Sequence, residues 1–271
     1  MNQIQEKVFH LLQVYVEVCD ELKLPYFLVC GSALGAVKYG GFIPWDDDID
    51  VGMFREDYEV FCQKAPLLLP QELFLQNYCT DPAFPAIYSK LRDSTTTCVE
   101  TSVASLPMNH GLCIDIFPLD GYPKERKQQR RLERKKTLFV RLLSVSCLRP
   151  ERWKDMLVKP LRAVGIGRHS ASIADAYTKC ISEWSVKNSE IVANHGNWQG
   201  KLEYHNKAVY GDGAHAVFEG LPVRIPECFD KYLAQKYGDY RKDPPIEKQK
   251  SHHQYLYLDP CNPYTDYLKK G

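Results

Sequence analysis

Aspartates at positions 46, 47, 48 and 50 stand between Ile43-Pro44-Trp45 and Ile49-Val51-Met53, and this mixture of acids with large apolar side chains restricts the local fold more than any other stretch. An acidic run in a free turn usually sits among small polar residues, whereas Trp45, Ile49, Val51 and Met53 favour burial. The alternation Ile49-Asp50-Val51-Gly52-Met53 predicts a strand. Side chains at i and i+2 share a strand face, so Asp48 and Asp50 are expected to point one way while Ile49 and Val51 enter the core. Asp46 would join that face only in a strand that began early, which Pro44 opposes. Two carboxylates held so close repel unless a hard cation lies between them, and Mg²⁺ is the usual choice where phosphate oxygens complete the shell.

The surrounding pattern supplies the frame. Ile4, Val8, Leu11, Leu12, Tyr15, Val18, Cys19 and Leu22 recur at helical spacing, so residues 3–23 are predicted as an amphipathic helix stopped by Pro25. Tyr26 to Cys30 is expected to be a short buried strand, with Ser32 capping a helix that ends at Gly40-Gly41. Arg55 to Ala65 reads as a helix, followed by strands at Leu73–Gln76, Ala86–Leu91, Thr96–Glu100 and Leu112–Phe117. Residues 123–186 change character, a basic run from Lys124 to Lys136 leading into Leu138 to Val145, and predict a helical insertion at about 123–190 with a polar loop near Asn188 to Gly200. Glu227 to Tyr237 reads as a further helix, and the tail after Gly238 as largely irregular. The expected class is α/β (α+β), one domain over 1–271.

Two more segments bear on chemistry. Gly31-Ser32 at a strand-to-helix junction offers backbone N–H groups and a hydroxyl suited to phosphate. In Leu112-Cys113-Ile114-Asp115-Ile116, the apolar residues share one face and Asp115 takes the other, adding a third carboxylate. Two acids holding Mg²⁺, with the third positioning a metal or accepting a proton, suit metal-assisted attack at phosphorus. Lys90 and Arg92 share a strand face and could reach the same phosphates, and His252 in the polar tail is a further phosphate or acceptor contact.

Composition closes off other classes. With 35 basic against 34 acidic residues there is no global pull toward nucleic acid, and basic residues do not alternate with aromatics, so no nucleic-acid partner is expected. Met1 to Leu12 lacks an apolar run of signal type and no stretch reaches ~20 apolar residues, which points to the cytoplasm. The 10 cysteines stand singly, without a C-x-x-C pair, and read as small buried hydrophobes in a reducing compartment. The run from Lys124 to Lys136 and the apolar residues after it have the composition of a helix lying on an anionic membrane, which would place the protein at the inner face of the cytoplasmic membrane.

Gly31-Ser32-Ala33-Leu34-Gly35-Ala36, Phe42 to Asp50, Lys90-Leu91-Arg92-Asp93, Ile114 to Asp120, Phe218-Glu219-Gly220, Tyr237-Gly238-Asp239-Tyr240 with Pro244-Pro245, and His252-His253 together resemble the signatures of the LicD family. Its relatives include fukutin and fukutin-related protein. The resemblance spans nearly the whole chain and is weakest through the basic insertion. It implies a nucleotidyltransferase (DNA polymerase beta-like) fold, a mixed sheet flanked by helices. It further implies transfer of a phospho-substituent such as phosphocholine from a CDP-activated donor to a hydroxyl of a cell-surface glycan precursor (teichoic acid, lipopolysaccharide or capsule), free or lipid-linked, with release of CMP. Catalytic and metal roles then fall on Asp48, Asp50 and Asp115, and donor binding on Gly31, Ser32, Lys90, Arg92 and His252. The connection from Ser32 to Asp48 is longer than the superfamily's usual one and carries Pro44-Trp45, and no cysteine cluster matches the zinc site of fukutin-related proteins.

The rival chemistries are an Asp-x-Asp glycosyltransferase using a nucleotide-sugar and a nucleotidyltransferase releasing pyrophosphate. Against the first, only about 47 residues precede Asp48, too few for a nucleotide-binding α/β half. Choline as head group would call for an aromatic cage, for which Trp45, Tyr88, Trp184 and Trp198 are candidates.

Overall fold

The predicted first helix forms as α1 (Gln3–Leu22), started by a capping box in which Asn2 and Gln5 each accept from the other's backbone N–H. The computed structural model describes residues 1–147, 169–197, 199–251 and 254–268. The apolar stripe of α1 carries Val8, Leu11, Leu12 and Tyr15 onto Val51, Met53, Ile114 and Ile116, all buried in one cluster. Full burial of each such side chain contributes about 1.5–3 kcal/mol, which makes this layer the main stabiliser of the sheet.

Seven strands form the main sheet among the described residues. They are β1 (Phe27–Leu28), β2 (Asp50–Phe54), β3 (Leu73–Gln76), β4 (Ser89–Asp93), β6 (Leu112–Tyr122), β7 (Ile191–Asn194) and β8 (Tyr204–Asn206). The spatial order is β1-β2-β6-β4-β3, with β7 joining β6 and β8 joining β7. Only β2 and β6 run parallel; the other pairings are antiparallel, so this is a mixed α/β sheet. Because Val51, Met53, Ile114 and Ile116 face α1, alternation turns Asp50 and Asp115 to the opposite face.

Several expectations need correction. The first strand is shorter than Tyr26–Cys30: Cys30 already opens helix α2 (Cys30–Lys38), with a left-handed φ of 55° that turns the chain out of the sheet. Ser32 is not a cap but lies inside α2, whose N-cap Val29 makes no side-chain bond. The strand with the acids begins at Asp50, leaving Asp48 just outside it. The tail is not irregular throughout, since β11 (Tyr255–Asp259) pairs with β5 (Thr97–Glu100), outside the main sheet. The expected polar loop near Asn188 to Gly200 contains β7, and a hairpin of β9 (Ala214–Phe218) and β10 (Leu221–Ile225) follows.

Helix α3 (Arg55–Lys64) forms as expected, and α6 (Phe229–Tyr237) closes the second face. The insertion supplies α4 (Arg126–Cys147) and α5 (Ser170–Ile181). Its basic run is divided. Arg126, Lys127, Arg130, Arg131, Arg134 and Arg141 face solvent, while Lys136 turns inward to donate to Tyr204 at 3.0 Å. No helix of the described residues is long and apolar enough to cross a membrane. Nine free cysteines are described, and the expectation of uniform burial fails at Cys79 and Cys261, which are exposed.

Candidate active site

Register brings the acids together. Asp50 and Asp115 are paired positions of the parallel strands β2 and β6, which places them about 4.8 Å apart, the spacing of neighbouring strands. Asp115 is in turn opposite Lys90 on β4, so one row across three strands reads Asp50, Asp115, Lys90. The segment carrying Asp46 to Asp48 is pinned from three sides. Gln5 of α1 donates to the Asp46 carbonyl at 2.8 Å, Glu219 accepts from the Phe42 N–H at 3.1 Å, and the Gly41 N–H reaches the Gly35 carbonyl at 3.3 Å. Phe218-Glu219-Gly220 is thus a clamp on the acidic loop, formed by the β9–β10 turn, where Glu219 and Gly220 both have positive φ.

Gly35 permits that approach. A methyl group on it would lie 2.3 Å from the Gly41 carbonyl oxygen, a backbone atom with no room to retreat. Gly35→Ala is expected to cost about 1–3 kcal/mol through overpacking and a displaced loop. Urea denaturation reads the loss, and an unchanged midpoint would show that the loop is not held by this contact.

Asp50 is half-buried beside Asp48 and Asp115, and first desolvation and then these two charges push its carboxyl well above the usual range, against the opposing pull of Lys236 and the Cys30 thiol. Asp115 is also raised, by burial first, although Lys90 donates to it at 2.8 Å and opposes the shift. Burial works against the Lys90 ammonium, but Asp115, Cys113 and Glu100 prevail and raise its pKa well above the ordinary value. A carboxyl raised in the fold binds its proton more tightly there than in the unfolded chain. Stability therefore falls as pH rises from the ordinary carboxylate value through the folded one. Asp50→Asn is expected to raise the Tm in chelator at pH 7 by about 2–4 °C for each kcal/mol of repulsion relieved, and by less at pH 4. A lower Tm than wild type at pH 7 would refute the repulsion.

A cavity of about 900 Å³ opens over these acids, with Asp46, Asp48, Asp50, Gly31, Trp45, Cys30, Lys236 and Tyr237 in its wall. Lys236 and Glu203 form an ion pair whose side chains are each 1% exposed, beside Cys30. Burial would lower the Lys236 pKa, but Cys30 and Glu203 raise it, so it stays a cation within reach of Asp50. Lys248 and Lys250 also line the cavity and make no ion pair among the described residues.

The structure sorts the sequence-predicted residues unevenly. Asp48, Asp50 and Asp115 converge, and Gly31 lines the cavity, where a Cβ would come within 3.2 Å of Asp46. Ser32 Oγ accepts from the Asp50 N–H at 2.8 Å, which ties α2 to the strand that carries the acids. Arg92 is 1% exposed and donates to Gln76 and to the Gly111 carbonyl, so its guanidinium braces the sheet. Lys90 and Arg92 sit in the wall of a second, smaller cavity instead of the acidic one. His252, His253 and Trp198 lie outside the described residues. Trp45 and Tyr88 line different cavities, so the aromatic candidates do not form one cage. Tyr237, Asp239 and Tyr240, from the family-like segment Tyr237-Gly238-Asp239-Tyr240, line the acidic cavity.

Lys236, Glu203, Lys248 and Lys250 were not singled out by sequence reasoning. Only the adjacency of Lys236 to Tyr237-Gly238-Asp239-Tyr240 could have drawn attention to it. Among the described residues no three His, Cys, Asp or Glu side chains form a ready metal cage. Mg²⁺ characteristically binds through one or two carboxylates, with water and substrate phosphate filling the shell.

Comparison with known proteins gives a consistent picture. Residues 23–141 match the family described as "LicD/FKTN/FKRP, nucleotidyltransferase domain". The chain is 29% identical over 270 residues to "Lipopolysaccharide cholinephosphotransferase LicD" of Haemophilus influenzae, covering 93% of this chain and 96% of the relative. It is 45% identical over 42 residues to "Ribitol 5-phosphate transferase FKRP" of Homo sapiens, 16% of this chain and 8% of the relative. It is 33% identical over 63 residues to "Ribitol-5-phosphate transferase FKTN" of Mus musculus, 21% of this chain and 14% of the relative.

Proposed function

We propose that the chain, a member of the LicD family through its domain at residues 23–141, transfers phosphocholine, or a related phospho-substituent, from a CDP-linked donor to a hydroxyl of a cell-surface glycan precursor, releasing CMP. The observation that carries this reading is the convergence of Asp48, Asp50 and Asp115 beside a cavity whose wall also holds lysines without ion-pair partners among the described residues. A nucleotidyltransferase-type core is part of the same proposal and rests on the family match together with the acids on the sheet face.

A divalent ion fits the residues present. The acids offer hard oxygen donors, and burial, then the charges of Asp48 and Asp115, raise the Asp50 carboxyl, which a bound cation would offset. Mg²⁺ would be held by Asp48 and Asp50 and would supply charge compensation for the diphosphate. Lys248 and Lys250 contact the donor phosphates as point charges, and the buried Lys236 adds positive charge beside Asp50. Asp115, oriented by Lys90, accepts the proton of the acceptor hydroxyl, and its raised pKa makes it a better base than a free carboxylate. As the hydroxyl oxygen bonds to the phosphorus bearing the head group, the bond from that phosphorus to the CMP oxygen breaks and CMP departs.

The outward basic face of α4 belongs to the same picture, as a peripheral contact with the anionic inner face of the cytoplasmic membrane, where a lipid-linked acceptor would be presented. Incubation with CDP-choline, CDP-ethanolamine, CDP-ribitol and CDP-glycerol, followed by nucleotide chromatography, tests the proposal. CMP formed together with a new phosphodiester supports it. A nucleotide-sugar giving a glycosidic bond, or CTP giving pyrophosphate, would replace it.

A further inference from the structure

The smaller cavity, about 330 Å³, lies on the Lys90 side of Asp115. Strand β4, the turn after β5, α4 and α5 all contribute to its wall, and the proposed donor chemistry uses none of it except through Lys90. Its surface joins aromatic rings to polar atoms. Phe84 and Tyr88 meet edge to face at 5.8 Å, and Tyr88 is backed by Phe117 at 4.7 Å. Tyr177 and His195 also line it, 1% and 4% exposed, and Tyr177 Oη and His195 Nε2 have no hydrogen-bond partner among the described residues. Orphaned polar atoms in a buried wall carry a desolvation cost that a ligand hydroxyl removes.

We propose that this cavity is the acceptor subsite and that it takes a hydroxyl-bearing sugar ring, stacked on Tyr88 and hydrogen-bonded near His195 and Tyr177. The inference rests on the transferase reading above and extends it to the acceptor. Position supports it: Lys90 lines the cavity and donates to the Asp115 carboxylate at 2.8 Å, so a hydroxyl bound on this side lies next to the lysine that holds the proposed base, while the donor occupies the larger cavity across the acid row. Charge favours a sugar over the donor's trimethylammonium group. Lys90 and Arg92 outnumber Glu100 in the wall, so its charge does not favour a cation, whereas an uncharged polyol ring meets aromatic faces and polar atoms that suit it.

Saturation-transfer NMR with methyl β-D-glucopyranoside, methyl N-acetyl-β-D-glucosaminide and choline chloride tests the subsite without any donor present. Val103 lies in a turn at the cavity wall, so Val103→Trp fills the space without touching the sheet. At least one methyl glycoside is expected to receive saturation from the wild-type chain, to lose it by about tenfold in V103W and in Tyr88→Ala, and to resist displacement by choline. Equal glycoside signals in V103W, displacement by choline chloride, or no glycoside signal at all would each overturn the assignment. A chain that releases CMP but shows no glycoside signal removes the subsite alone. Glycoside binding blocked by V103W in a chain that releases no CMP from any donor removes the transfer reading instead.

Discussion

Asp48→Ala and Asp50→Ala should each lower CMP release from a CDP-linked donor by about 10³-fold, roughly 4 kcal/mol of transition-state stabilisation. The effect is large because the two carboxylates cannot substitute for one another. Asp50 is fixed on β2 by the Ser32 hydroxyl, and Asp48 sits at the end of a loop anchored to α1 through Gln5. Loss of either would leave a divalent ion with one carboxylate and a diphosphate with less charge compensation. Steady-state CMP assays at saturating donor, with circular dichroism to show that the variants fold, check the prediction. Turnover within tenfold of wild type in both variants would move the site elsewhere.

The second large effect concerns stability. Arg55 and Asp120, 6% and 0% exposed, form a two-point ion pair with Nε to Oδ1 at 2.6 Å and the second nitrogen to Oδ2 at 2.8 Å. Removing one partner leaves the other charge buried alone, so Arg55→Ala or Asp120→Ala should cost about 3–5 kcal/mol and lower the Tm by about 10 °C or more. Replacing both together with Met and Leu should cost much less, because no charge is then stranded. Thermal melts of the two single variants and the double variant decide it, and a double variant as unstable as the worse single one would show that packing, not stranded charge, sets the cost.

That pair shows where sequence reading stops. Asp120 closes the segment Ile114 to Asp120, and the pattern alone gives it no role different from that of Asp115. In the fold Asp115 faces a cation next to a cavity, while Asp120 is sealed against a helix that begins at Arg55. The amphipathic period of α1 and the alternation through Asp50 and Asp115 were legible because they are local and strictly periodic. Strand β11 was not legible: its partner β5 lies some 150 residues upstream, and Leu256, Tyr257 and Leu258 remain partly exposed, so no buried alternation marks it. The same holds for Lys236 and Glu203, which meet 33 positions apart across two elements. Ser32 was misread for a related reason. A serine near a helix start usually caps it, but here the helix begins two residues earlier and the hydroxyl is taken by Asp50.

These contacts bear on the chemistry. Ser32 and Arg92, expected from the sequence to hold donor phosphates, make contacts that hold the sheet in register around the acids. In the proposed reaction Lys248 and Lys250 would meet the donor phosphates; like Lys236 they come from the C-terminal third of the chain and line the same cavity as Asp48 and Asp50. The resulting site draws on both ends of the sequence, with acids from residues before 120 and cations from residues after 230.

Electron paramagnetic resonance of Mn²⁺, used in place of Mg²⁺ and titrated into the chain with CDP, tests most directly whether these acids grip a diphosphate through a divalent ion. The free-ion signal should fall when wild-type protein and CDP are both present, fall less with either alone, and stay high with Asp50→Asn. Equal uptake by the wild type and the variant, or CDP binding of unchanged strength in chelator, would contradict the account.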